Sequence, residues 1–108
     1  MSVAAGLLLV AIAIEVVSTA LLPKAEGFTH PAWSAAIVAG YIVSIWLLTL
    51  VVRDIPVSVA YAVWSGLGTA AITVVGVLLL DEGLDVLKVS GIALVIIGVV
   101  LLNVHVTA

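Results

Sequence analysis

The chain is short, strongly apolar and poor in charge. Its 108 residues are 66% hydrophobic and 8% charged, with a mean hydropathy of +1.52 and a formal net charge of −3. About half the residues of a soluble globule are apolar, so this composition excludes an ordinary soluble domain and predicts an all-α integral membrane protein. Cysteine is absent, which excludes a disulfide framework, a thiolate metal site and a cysteine nucleophile.

Four apolar runs predict four transmembrane helices. A helix needs about 20 residues to cross a hydrocarbon core ~30 Å thick. Runs of about this length cover residues 3–22, 32–52, 57–80 and 89–106, so that residues 1–108 form a single membrane domain. The first positive side chain, Lys24, follows the first run, so we expect that run to remain as a helix and not to be cleaved as a signal peptide.

The connections between the runs are short and contain helix-terminating residues. Pro23 follows the first run, Pro31 stands where the second helix begins, and Pro56 opens the third, with Asp54 as its predicted N-cap. Short connections make consecutive helices antiparallel and place both termini on one side of the membrane.

The first run, "LLLVAIAIEVVSTALL", carries a carboxylate, Glu15, near its middle. The other acidic residues fall in the connections: Glu26, Asp54, Asp81, Glu82 and Asp85. Because a charged side chain at the centre of a bilayer costs roughly 3 kcal/mol on insertion scales, Glu15 should face the bundle interior or a wet cavity and is a candidate functional site. The alternative is a permanently protonated side chain that serves only as an interhelical hydrogen-bond donor.

Small and polar residues share the helical face of Glu15. Ala11, Ser18 and Thr19 lie at i−4, i+3 and i+4 from it, with Ile12 beside them. Small residues allow helices to approach closely, and hydroxyls can hydrogen-bond across a helix interface. The stripe is therefore equally compatible with a binding face and with helix packing.

Aromatic residues recur at helical spacing in the second and third runs. Tyr61 and Trp64 lie one turn apart, as do Tyr41 and Ser44. An aromatic ring can hold a desolvated cation by about 2 kcal/mol, and a phenol can hydrogen-bond a carboxylate. Together with Glu15 these residues describe a pocket for a hydrophobic cation, although an aromatic pair in the core gives the same spacing.

The fourth run predicts an association face. Gly91 and Gly98 stand seven residues apart on one side of the helix, and small residues favour close helix contacts in membranes. An intramolecular contact is the alternative. We expect Asn103 and His105, near the end of this run, to lie at the membrane interface, and the sequence has no metal-ligand spacing.

Charges in the connections give almost no orientation bias. Lys24 and Lys88 lie in the first and third connections, on one side, and Arg53 lies in the second. Such a balance allows one sequence to insert in both orientations and to pair as an antiparallel, dual-topology homodimer; the alternative is a single topology fixed by another signal. An inverted dimer would supply the repeat that transporters use for alternating access.

The sequence closely resembles the small multidrug resistance family of bacterial transporters. The segments that carry the resemblance are "IEVVSTALL", "EGFT", "IPVSVAYAVWSGLGTA" and "GIALVIIGVVLLN", in order across nearly the whole chain. The resemblance implies an antiparallel homodimer in the bacterial inner membrane, not an enzyme, that exports lipophilic or quaternary ammonium cations in exchange for protons. It implies no cofactor beyond the coupling proton, no metal and no nucleic-acid partner.

The resemblance also implies roles for single residues. Glu15 corresponds to the shared proton and substrate site, Tyr61 and Trp64 to the binding-site aromatics, and Ser44 to a hydroxyl near the glutamate. The first-helix binding face corresponds to Ala11, Ile12, Ser18 and Thr19. The flexible part of the third helix corresponds to Gly66 and Gly68, and the dimerisation segment to Gly91 and Gly98.

The family includes exporters of multidrug cations and exporters of small guanidinium compounds. Tyr41, and the small Ser18 where the guanidinium branch usually has tryptophan, resemble the multidrug branch, and the guanidinium branch is the alternative. The sequence departs from the family at Pro23, where lysine is common, and in the order Pro31, Ala32, Trp33. Two other classes of membrane protein are alternatives. A proton channel or rotor subunit also uses one buried carboxylate, and a purely structural subunit tolerates one.

Overall fold

The computed structural model describes residues 2–107, with the backbone alone for residues 103 and 105–107. This part of the chain is helical and contains no strand. Its helices are α1 (Val3–Ala20), α2 (Leu22–Ala25), α3 (Pro31–Val51), α4 (Val57–Leu79) and α5 (Val86–Thr107). In the described range α1, α3 and α4 are long and apolar enough to cross a membrane, and α5 has a shorter apolar part, Val86–Leu102. The prediction of an all-α, multi-pass membrane protein is confirmed.

The first apolar run is broken near its end. The hydroxyl of Ser2 caps α1 by accepting from the Ala5 N–H at 3.1 Å, and α1 ends at Ala20. The single-turn helix α2 follows, with Pro23 in its first turn. Proline has no N–H to donate and its ring clashes with the carbonyl four residues earlier, so the first helix cannot continue unbroken to residue 22.

Two helix starts differ from the sequence prediction. Asp54 was predicted to cap the third long helix, but that prediction is wrong: Pro56 occupies the cap position of α4 and no side chain caps it. The Asp54 N–H instead donates to the Val51 carbonyl at 3.1 Å, within the turn that ends α3. By contrast, α5 begins at Val86, earlier than residue 89, because the Asp85 carboxylate accepts from the Lys88 N–H at 2.8 Å.

Helix α1 lies at the centre of the fold, packed against α3 and α4, and α5 packs against α4. The buried apolar cluster draws on all four long helices and comprises Leu8, Ile12, Val16, Val51, Val59, Ala60, Val63 and Val99. Much of the remaining apolar surface is exposed, including Leu78, Leu87 and Leu94. In a lipid environment this outward apolar surface is the expected arrangement.

Helices α1 and α3 approach closely at two points. A Cβ on Gly40 would overlap the Ser18 hydroxyl, so a larger residue there would force the Ser18 side chain to move. The buried Ser44 hydroxyl donates to the Ala11 carbonyl at 2.8 Å. This contact fixes α3 against the face of α1 that also carries Glu15.

Candidate functional site

Glu15 lies in a cleft between α1 and α4. The cleft has a volume of about 280 Å³. It is lined by Glu15, Thr19, Tyr61, Trp64, Ser65, Gly68, Thr69 and Ile72. No Lys, Arg or His belongs to this lining. The carboxylate therefore has no basic partner in the cleft, and a cation that enters meets an acidic group without a competing positive charge.

A hydrogen-bonded chain joins Glu15 to α3. The Thr19 hydroxyl donates to Glu15 Oε1 at 2.9 Å, and Thr19 Oγ1 itself lies 2.9 Å from the Tyr41 hydroxyl oxygen. A threonine hydroxyl has a single proton, so when Thr19 donates to the carboxylate, Tyr41 must donate to Thr19. Tyr41 thus reaches the site through Thr19 without lining the cleft itself.

The other carboxylate oxygen lies against α4. A Cβ built on Gly68 would stand 3.4 Å from Glu15 Oε2. Oε2 has no hydrogen-bond partner among the described residues, and this oxygen is the one directed toward the α4 wall. Gly68 therefore gives the carboxylate room beside the helix backbone.

The aromatic wall is formed by Tyr61 and Trp64. Their ring centroids are 5.8 Å apart and the rings meet edge to face at 80°, a favourable arrangement for aromatic quadrupoles. Tyr61 is 59% exposed, so its ring is open to an incoming ligand. Trp64 Nε1 is buried and has no acceptor within the described residues, which leaves one donor in the wall unpaired.

Several of the predicted binding-face residues serve helix packing in this protomer. Ala11 and Ile12 are buried in the core, and the Ser18 hydroxyl donates to the Ile14 carbonyl of its own helix at 2.8 Å. Ser44 bonds the Ala11 carbonyl. The structure brings Glu15, Thr19, Tyr61, Trp64 and Gly68 together at the cleft, and the binding roles of all the predicted site residues stay predictions.

The cleft also contains residues that the sequence prediction did not include in the site. These are Ser65, Thr69 and Ile72. Ser65 and Thr69 follow Tyr61 at successive spacings of four, so the helical period of α4 was the signal that could have found them. They give the α4 wall two hydroxyl groups.

The glycines of the predicted hinge and association face have different surroundings. A Cβ on Gly66 would stand 2.8 Å from Val99 and 3.2 Å from Val95, so Gly66 allows α5 to pack on α4. At Gly91 and Gly98 an added Cβ would have no neighbour within 4 Å. The intramolecular alternative for these two glycines therefore finds no support in the described residues. The side chains of Asn103 and His105 lie outside the described residues.

The comparisons with known proteins agree on one family. The family model described as Small Multidrug Resistance protein matches residues 3–95. The chain is 50% identical over 94 residues to multidrug resistance protein mmr of Mycobacterium leprae (strain TN), covering 86% of this chain and 88% of that protein.

Two further relatives have names that describe resistance or export. Quaternary ammonium compound-resistance protein QacE of Escherichia coli is 47% identical over 96 residues, covering 89% of this chain and 87% of that protein. Nicotine metabolites export pump subunit NepA of Paenarthrobacter nicotinovorans is 43% identical over 97 residues, covering 90% and 84%. With the family model spanning most of its length, the chain belongs to the small multidrug resistance family.

Proposed function

We propose that this protein is a proton-coupled antiporter that exports lipophilic and quaternary ammonium cations, with Glu15 as the group that protons and substrate share. The observation that carries the proposal is the position of Glu15. It is the only carboxylate within the helices of the described chain, and it lies in a cleft with two aromatic rings and no basic side chain.

The coupling follows from the chemistry of one acidic group. A bare charge at the depth of the bilayer core is costly, so either a proton or a cation must neutralise the carboxylate. When a cation binds Glu15 it displaces the proton, and protonation expels the cation. Tyr61 and Trp64 replace part of the hydration that a lipophilic cation loses, through cation–π attraction.

An antiparallel, dual-topology homodimer completes the proposal. Gly91 and Gly98 leave one side of α5 open to a second helix, and near-balanced connection charges favour insertion in both orientations. In such a dimer each protomer contributes one Glu15 to the proton and substrate site. Rocking between equivalent inward and outward states then moves the cation across a bacterial-type plasma membrane.

Ligand-driven proton release tests the proposal. The full chain is purified in detergent micelles in weak buffer with a pH indicator, and tetrapropylammonium is added, with guanidinium as the comparator. We expect proton release with tetrapropylammonium, none from Glu15→Gln, and full release from Glu26→Gln, which removes an exposed carboxylate of the first connection.

The outcomes separate the candidate classes. Release from Glu15→Gln at the level of the unsubstituted protein would overturn the role of Glu15. Release with guanidinium alone would assign the protein to the guanidinium-type exporters, the second candidate. Absence of release with either cation would overturn cation antiport and favour a proton channel or a structural subunit.

A further inference from the structure

We propose that the site favours cations with at least two N–H donors, such as protonated primary and secondary amines, over quaternary ammonium ions with the same aromatic body, and that Thr69 sets this preference. The inference rests on the proposed cation antiport and narrows its substrate class. Thr69 is exposed on the α4 wall of the cleft, next in sequence to Gly68. Glu15 Oε2 lies beside α4 at Gly68.

The hydrogen bonds that the cleft residues already make determine which donors and acceptors remain for a ligand. The Thr69 hydroxyl donates its proton to the Ser65 carbonyl at 2.7 Å. Since a hydroxyl has one proton and two lone pairs, Thr69 Oγ1 is left as an acceptor only. Ser65 also lines the cleft, but its hydroxyl can still donate or accept, so it does not by itself select for donors.

The carboxylate offers a second acceptor. Glu15 Oε1 is bonded by Thr19, and Thr19 in turn is occupied by Tyr41, whereas Oε2 is free among the described residues. Glu15 Oε2 and Thr69 Oγ1 are therefore two unused acceptors that line the same cleft. A cation with two N–H groups can donate one to each.

A quaternary ammonium ion cannot make either bond. Its charge is surrounded by carbon, so the carboxylate attracts it and the rings of Tyr61 and Trp64 hold it, but it has no proton to donate. Both kinds of cation share the electrostatic and aromatic contacts. The difference in affinity between the two kinds of cation depends on hydrogen bonding. Thr69 contributes to this hydrogen bonding and not to the contacts that both cations share.

The test compares two ligands in matched variants. Calorimetric titration of the full chain in micelles is run with N-methylbenzylamine, at a pH where it is protonated, and with benzyltrimethylammonium. Thr69→Val keeps the shape of the side chain and removes the hydroxyl acceptor, whereas Thr69→Ser keeps a hydroxyl acceptor at this position. Thr73→Val is the control, since Thr73 makes the same type of bond to the Thr69 carbonyl at 2.7 Å but does not line the cleft.

We expect Thr69→Val to weaken binding of the secondary amine about tenfold, because hydrogen bonds from charged donors are the stronger ones. Binding of the quaternary ion should stay within about twofold on the same argument. Thr69→Ser should retain the affinity for the amine, and Thr73→Val should change the affinity for neither ligand.

Two results would overturn the proposal. If Thr69→Val weakens both ligands equally, or neither, while tetrapropylammonium still drives Glu15-dependent proton release, the role of Thr69 fails and cation antiport stands. If no cation drives proton release from the unsubstituted protein, antiport fails and the amine preference fails with it.

Discussion

Gly68 brings the backbone of α4 next to the Glu15 carboxylate, so that a Cβ at position 68 would lie 3.4 Å from Oε2. This is an ordinary van der Waals contact, and a single methyl group is tolerated there. A branched side chain reaches further, into the space between Oε2 and the cleft. The size of residue 68 therefore controls access to the carboxylate.

We expect Gly68→Val to weaken tetrapropylammonium binding about tenfold, since overpacking typically costs 1–3 kcal/mol. Gly68→Ala is the matched control and should bind nearly as the unsubstituted protein does. Calorimetric titration measures the affinities, and circular dichroism checks that both variants are folded. Equal loss in the two variants would mean that backbone flexibility at position 68, and not space beside Glu15, is what binding requires.

The chain from Tyr41 through Thr19 to Glu15 predicts coupled effects. Thr19→Val removes the donor to the carboxylate, and Tyr41→Phe removes the donor to Thr19. Hydrogen bonds to charged groups contribute about 1.5–3 kcal/mol, so Thr19→Val should weaken cation binding roughly tenfold, with a smaller effect of Tyr41→Phe.

A double-mutant cycle measured by calorimetry tests whether the two hydroxyls act together. Because Tyr41 reaches Glu15 only through Thr19, the double variant should bind as Thr19→Val alone does. Additive losses would show instead that Tyr41 contacts the ligand independently. Ser34→Ala is a suitable control, because the exposed Ser34 hydroxyl bonds only the His30 carbonyl.

Part of this site could be predicted from the sequence. Glu15 was identifiable because it is a carboxylate in an apolar run, and the spacing of Tyr61 and Trp64 placed them on one face. Periodicity identifies a face but not which helix covers it. Ser18 and Ser44 share the polar pattern of Thr19, yet the Ser18 hydroxyl bonds a carbonyl of its own helix and the Ser44 hydroxyl bonds a carbonyl of α1. Only the three-dimensional structure separates these roles.

Helix ends were harder to predict, because Asp54 and Asp85 look alike in sequence. Each precedes an apolar run, yet only Asp85 caps a helix. Asp54 falls in the tight turn that closes α3, where its own N–H bonds Val51, and Pro56 then sets the start of α4. Whether such an aspartate caps the next helix depends on the geometry with which the preceding helix ends. A local sequence motif does not contain that geometry.

This difference gives a stability prediction. Asp85→Ala removes the side-chain cap on α5 and should lower the free energy of unfolding by about 1 kcal/mol. Asp54→Ala removes no capping bond and should leave it unchanged. Unfolding in micelles, followed by circular dichroism, measures both variants. An equal loss for Asp54→Ala would indicate that its charge, and not a cap, stabilises the second connection.

The glycines on α4 and α5 separate packing within the protomer from the proposed association of protomers. Gly66→Ala places a Cβ 2.8 Å from Val99, closer than carbon atoms normally approach, so it should destabilise the α4–α5 packing by about 1–3 kcal/mol. At Gly98 an added Cβ would have no described neighbour within 4 Å in the protomer, so Gly98→Leu is chosen to extend a side chain outward. It should leave the stability of the protomer unchanged but reduce the dimer fraction, because a large side chain keeps two α5 helices apart. Light scattering of the protein in micelles gives the oligomeric state and thermal unfolding gives stability. If the Gly98→Leu variant remains fully dimeric, the protomers do not associate through the α5 face that carries Gly91 and Gly98. That face would then contact lipid only.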